Sequence, residues 1–145
     1  MRIAIGSDHA GFEYKQEIIS LLKNLGHMVK DFGTYSNESV DYPVFIYPVA
    51  RAVAQNEFDR GIVLGGSGNG EAITANRIPD IRCALCINED LALLSREHNN
   101  ANMISLGQRM MTRETAISCV KIWLDTPFEG GRHQRRIDLI DSGKL

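Results

Sequence analysis

The sequence is poor in cysteine, histidine and long apolar runs, and each shortage removes a class of protein. Three cysteines occur, Cys83, Cys86 and Cys119. An odd number with no secretory context excludes a disulfide scaffold. Cys83 and Cys86 spell C-x-x-C inside "IRCALCI", an apolar run with no helix N-terminus to stabilise a thiolate, so buried thiols are expected. No second C-x-x-C and no neighbouring histidine completes a zinc set. Neither a metal nor a cofactor is expected. The start "MRIAIGSDHAGFEYK" is too short in apolar residues for a secretory leader, and no stretch approaches the ~20 apolar residues of a membrane span. A cytoplasmic protein follows. Basic excess is missing as well: the net charge of −2 gives no electrostatic reason to bind nucleic acid or an anionic membrane.

What the chain does have is alternation. An apolar fraction of 43% over 145 residues suits one globular core. Short apolar strands at 2–6, 27–33, 61–66, 81–87 and 102–107 alternate with helical patterns at 13–25, 43–55, 71–77, 88–99, 113–124 and 132–142. Gly26 sits where a helix C-cap belongs, and Asn88 and Thr112 sit where N-caps belong. "HMVKDFG" alternates as a strand near a sheet edge does, whereas "IRCALCI" reads as a buried strand. Such a rhythm predicts an α/β fold: a single three-layer Rossmann-like domain spanning residues 1–145, with a five-stranded, mostly parallel sheet and helices on both faces. Folds of this kind place ligands at the carboxyl ends of the strands. Ser7-Asp8-His9, Asp41-Tyr42, the stretch "GGSGNGE" (65–71) and Gly107-Gln108-Arg109 all fall there. His98 and Asn99 end the fourth helix instead.

"GGSGNGE" carries four glycines in seven positions. A strand-to-helix turn needs only one or two, so the excess points to a backbone whose N–H groups face an anion. The dinucleotide pattern G-x-G-x-x-G is missed by one residue, and Glu71 stands where a P-loop carries its lysine. A carboxylate there repels nucleotide phosphates but suits proton abstraction beside a carbonyl, with the N–H groups holding the enediolate oxygen. A first-turn helix acid is the plain alternative for Glu71. Arg132 and Arg136, four apart, share one helix face, and with Arg109 they suit a phosphate; the plain alternative is a solvated surface. His9 is either an anion donor or a cap. His98 is either a C-cap or a proton carrier at neutral pH.

Taken together, "IAIGSDHAGFEYK", "DYP", "GGSGNGEAITANR", "REHNNAN", "GQRM" and "EGGRHQRRID" resemble type B ribose-5-phosphate isomerase and its galactose- and allose-6-phosphate isomerase relatives. The resemblance covers nearly the whole chain. It implies a metal-independent aldose–ketose isomerase that works through a cis-enediolate. By position it makes Asp8, Tyr42 and His98 groups that bind the sugar and assist ring opening. Asn99 and the amides from Gly66 through Gly68 to Gly70 become holders of the enediolate. His9, Arg109, Arg132 and Arg136 become a phosphate clamp. It also implies a homodimer, or a dimer of dimers, with active sites shared between chains. Many members of that family carry a cysteine base directly before the loop, and this chain has Gly65 there. A branch without that cysteine uses a glutamate after the loop, which makes Glu71 the base and Ser67 its neighbour on the substrate. A six-carbon sugar phosphate and a nucleotide-binding module remain the rival readings.

Overall fold

The computed structural model describes residues 1–143. Five strands, β1 (Arg2–Ser7), β2 (Met28–Asp31), β3 (Arg60–Gly65), β4 (Cys83–Leu85) and β5 (Met103–Gly107), form one sheet in the order β2-β1-β3-β5-β4. All four pairings are parallel. Parallel neighbours require crossovers, and four helices supply them: α1 (Phe12–Asn24), α2 (Tyr42–Ala54), α3 (Asn69–Ala75) and α4 (Glu89–Glu97); α5 (Arg113–Asp125) and α6 (Arg132–Ser142) follow β5. Among the described residues no helix is long and apolar enough to cross a membrane.

The pleat of the central strands sorts side chains to two faces. Ile3, Ile5, Ile62, Leu64, Ile104 and Leu106 point to one side and pack with Ile18 and Leu22 of α1 and with Val120 and Trp123 of α5. Ala4, Val63 and Met103 point to the other, beneath Val49 and Val53 of α2 and Ala75 of α3. Helices cover both faces, as the alternating pattern predicts. The caps are also where the sequence puts them. Asn88 Oδ1 accepts from Leu91 N at 2.9 Å and Thr112 Oγ1 from Thr115 N at 3.1 Å, while Gly26 takes a φ of +84° after α1. At the start of the first helical segment, Asp8 is the cap rather than His9: its Oδ1 accepts from Ala10 N and Gly11 N at 2.8 and 3.1 Å.

Two elements depart from the sequence reading. "IRCALCI" contributes only three residues of strand, at the sheet edge rather than its centre. Its apolarity serves to bury Cys83 and Cys86 under the flanking helices. Lys15, an unremarkable helix residue in the sequence, is 0% exposed. Its Nζ donates to Asp31 Oδ1 at 2.6 Å and to Thr34 O at 2.5 Å, tying α1 to the loop after β2. Burial lowers its pKa, opposed by the hydrogen bond and charge of Asp31. A partnered interior ammonium is tolerated because both acceptors face it.

Candidate functional site

The ends of β1, β3 and β5 gather one set of polar groups. Gln108 N and Arg109 N donate to Gly65 O and Gly66 O at 2.9 and 3.0 Å, so the β5 exit is laced to the glycine loop. Arg109 lies over Gly66, where an added Cβ would meet its Nη1 at 3.3 Å. Two glycines have specific reasons. Gly68 holds a φ of +80°, and its carbonyl accepts from the buried Ser105 hydroxyl at 2.7 Å. Gly70 has the Tyr42 ring directly above it, so a Cβ would come within 2.6 Å of that ring. Ser67 is exposed, and its Oγ accepts from Asn69 N at 3.2 Å. Among the described residues the N–H groups of Ser67 and Gly68 have no acceptor, which leaves two adjacent donors available to an anion. His9 Nδ1 accepts from Val40 N at 3.2 Å, a bond that assigns the ring proton to Nε2 and makes that atom a donor.

Glu71 stands in the first turn of α3, only 3% exposed. Its carboxyl folds back over the end of β3 and occupies the space that a side chain on Gly65 would fill. Burial raises its pKa above the ordinary carboxylate range, its own backbone N–H opposes the shift, and the Asp8 charge adds to it. A carboxylate desolvated in this way is a stronger base than one in water. The missing Cβ at position 65 makes room for it.

The remaining candidates lie elsewhere. His98 caps the end of α4, and its ring stacks on that of His133 with centroids 4.3 Å apart and planes 11° apart. Asn99 follows; its carbonyl accepts from Arg82 Nε at 3.1 Å. Arg132 and Arg136 are exposed on the first turns of α6, which Glu129 N anchors to Glu97 O at 3.1 Å. This group sits at the amino ends of the strands, since Asn102 pairs with Gly61 at the start of β3. Glu71 is at the other end. At ~3.3 Å per residue, β3 separates the two groups by roughly 15 Å. One chain therefore brings Asp8, His9, Tyr42, Ser67, Glu71 and Arg109 together and holds His98, Asn99, Arg132 and Arg136 apart from them. Between the two poles, grooves of about 380 and 470 Å³ run along the β4 edge, with Ile73 and Ile140 exposed beside them.

Glu129 and His133 escaped the sequence reading because they lie far from His98 in the chain. The three offer ligand atoms within 4.8 Å of one another. Stacked imidazoles aim their in-plane lone pairs side by side rather than at one point, so in this arrangement the trio does not form a tetrahedral set. The cysteines are buried. Burial pushes the Cys86 thiol up to about 12 and that of Cys119 to about 11, and raises Cys83 strongly. Activity is therefore expected to survive iodoacetamide at pH 8. Rapid loss with the circular dichroism spectrum unchanged, prevented by substrate, would place a thiol at the site.

A desolvated carboxylate set against free backbone N–H groups at parallel strand ends defines an α/β protein equipped to move a proton beside an anion. The chain belongs to the Ribose/Galactose Isomerase family, whose model matches residues 3–140, and it is an isomerase. It is 48% identical over 142 residues to ribose-5-phosphate isomerase B of Mycolicibacterium paratuberculosis, covering 97% of this chain and 89% of that one. The ribose-5-phosphate isomerase B structure from Clostridium thermocellum superposes with a TM-score of 0.97 at 49% identity, over 99% of this chain and 97% of that one. The Mycoplasma genitalium enzyme, solved with bound ribulose 5-phosphate, gives a TM-score of 0.95 at 40% identity, over 99% and 95%.

Proposed function

We propose that the chain is a single sugar-phosphate isomerase domain that interconverts ribose 5-phosphate and ribulose 5-phosphate, with Glu71 as the base. The observation that carries this reading is the Glu71 carboxyl, buried in the space left by Gly65, at the strand end from which the glycine loop departs. The bound ribulose 5-phosphate of the Mycoplasma relative supports the choice of sugar. On the open-chain aldose, Glu71 takes the C2 proton and the C2–H electrons form the C1–C2 double bond. The carbonyl electrons pass to O1, where the loop N–H groups stabilise the charge. The O2 proton then moves to O1, the C2 carbonyl forms, and C1 takes the proton back from Glu71.

His9 and Arg109 hold the phosphate from the Glu71 side. The groups at the opposite pole serve the site of a second copy: His98 moves the ring-opening proton, Asn99 steadies the enediolate, and Arg132 and Arg136 complete the phosphate clamp. Asp8 and Tyr42 bind the sugar, and Ser67 bonds it beside the base. The exposed Ile73 and Ile140 beside the grooves along β4 support a homodimer or dimer of dimers. Turnover of ribose 5-phosphate, compared with that of allose 6-phosphate and galactose 6-phosphate, tests the assignment. Preference for a six-carbon substrate would shift it to the rival sugar, and nucleotide binding with no isomerisation would overturn it. Arg136→Ala is expected to weaken binding of the phosphorylated sugar by about 1.5–3 kcal/mol. An equal change for unphosphorylated ribose would remove Arg136 from the clamp.

A further inference from the structure

The stack of His98 on His133 is not used by the steps above. His133 is 6% exposed, on the first turn of α6, and among the described residues its Nε2 has no hydrogen-bond partner. The nearest acid is Glu129, whose Oε2 lies 3.4 Å from that nitrogen. Buried polar atoms left without a partner are uncommon and call for an explanation. Here the ring is fixed by its faces rather than its nitrogens, because α6 presses it flat against His98. The frame around the pair is firm. Arg96, itself buried, donates to Ala101 O at 2.8 Å and to Thr126 O at 3.4 Å, and the Glu129 N–Glu97 O bond closes the loop leading into α6.

We propose that His133 is a positioning residue for His98: the stack fixes the plane of the His98 ring, and so the direction in which it delivers its proton during ring opening. This rests on the isomerase reading. A histidine that ends a helix has free side-chain torsions unless something holds it, and a misdirected proton carrier loses much of its catalytic value. Four groups face His133: His98 from α4, Glu129 from the preceding loop, and Arg132 and Arg136 from its own helix. Burial lowers its pKa, the charges of His98, Arg132 and Arg136 add to that, and Glu129 opposes them. A ring discouraged from taking a proton suits a flat partner for another imidazole. The role asks for a planar ring rather than a titrating one.

Ribulose 5-phosphate makes the test selective. Its C5 oxygen is esterified, so it cannot close a furanose ring on C2, and exchange of its C1 hydrogens in D2O needs enediolate formation but no ring opening. His133→Ala is expected to lower kcat on ribose 5-phosphate by up to ~10²-fold while deuterium incorporation into ribulose 5-phosphate, followed by proton NMR, stays within about two-fold of the parent. His133→Phe, which keeps a flat ring but no titratable nitrogen, is expected to restore most of the loss. His98→Asn in the same two assays gives the ceiling for a ring-opening defect. Equal losses in both assays, no loss in either, or failure of phenylalanine to rescue a folded protein would overturn the proposal. A parent enzyme with neither turnover nor exchange would instead overturn the isomerase reading on which it stands.

Discussion

Glu71→Gln is expected to reduce turnover of ribose 5-phosphate by ~10²–10⁴-fold, the usual worth of a positioned base, with sugar binding retained and the fold stabilised. Loss and gain share one cause. The folded-state pKa of Glu71 is raised, chiefly by burial, so between the unfolded and folded values the native state binds more protons than the unfolded chain. Stability then falls as pH rises through that window, and at neutral pH the ionised carboxylate weakens the fold. Glutamine keeps the shape and removes the charge. Its melting temperature should exceed that of the parent at pH 7, and the two should converge as pH falls below the ordinary carboxylate range. In the parent, kcat/KM should fall on the acid side at a pH above that of an ordinary glutamate. A variant with near-normal turnover would show that another group takes the proton.

Gly65→Ala, a single added methyl, is expected to be almost as damaging. The Cβ would land inside the present position of the Glu71 carboxyl, and the neighbouring backbone cannot retreat, because Gly65 pairs with Gly107 and its carbonyl accepts from Gln108 N. Glu71 must swing away and lose both its burial and its aim. The expected result is a folded protein whose turnover is down by ~10²-fold or more, since displacement of about 1 Å costs that much. A crystal structure of the variant should show Glu71 in a new rotamer. Activity near that of the parent would mean that the base works from a different position. A side chain at 65 and a carboxylate at this place exclude one another, so a cysteine at 65 and a working Glu71 cannot coexist here.

Much of this arrangement was legible in the sequence, for local reasons. Caps at Asn88 and Thr112 and the glycine after α1 depend on residues within one turn. The pole around Glu71 was legible because parallel folds deliver strand ends to one edge, so Asp8, Ser67 and Arg109 could be grouped without knowing strand order. The β4 edge was not, since "IRCALCI" is equally apolar whether neighbours cover it by pairing or by packing. Lys15 looked like any solvated helix lysine, because its acceptors, Asp31 at the end of β2 and Thr34 O in the loop after it, are brought near only by the fold. The His98–His133 stack joins two helix ends across a long stretch of chain. The exclusion between Gly65 and Glu71 is a matter of ångströms, which no pattern of residue types records.

The division of the polar groups between opposite ends of the sheet has a genetic consequence. On the two-copy reading, a gene altered at Glu71 and another altered at His98 each encode a chain that is useless with its own kind. Expressed together in one cell, they assemble at random, and half of the pairs are mixed. Each mixed pair has one centre carrying both lesions and one carrying none, so about a quarter of the intact number of centres returns. The two defective alleles would complement each other, and two alleles damaged at the same pole would not.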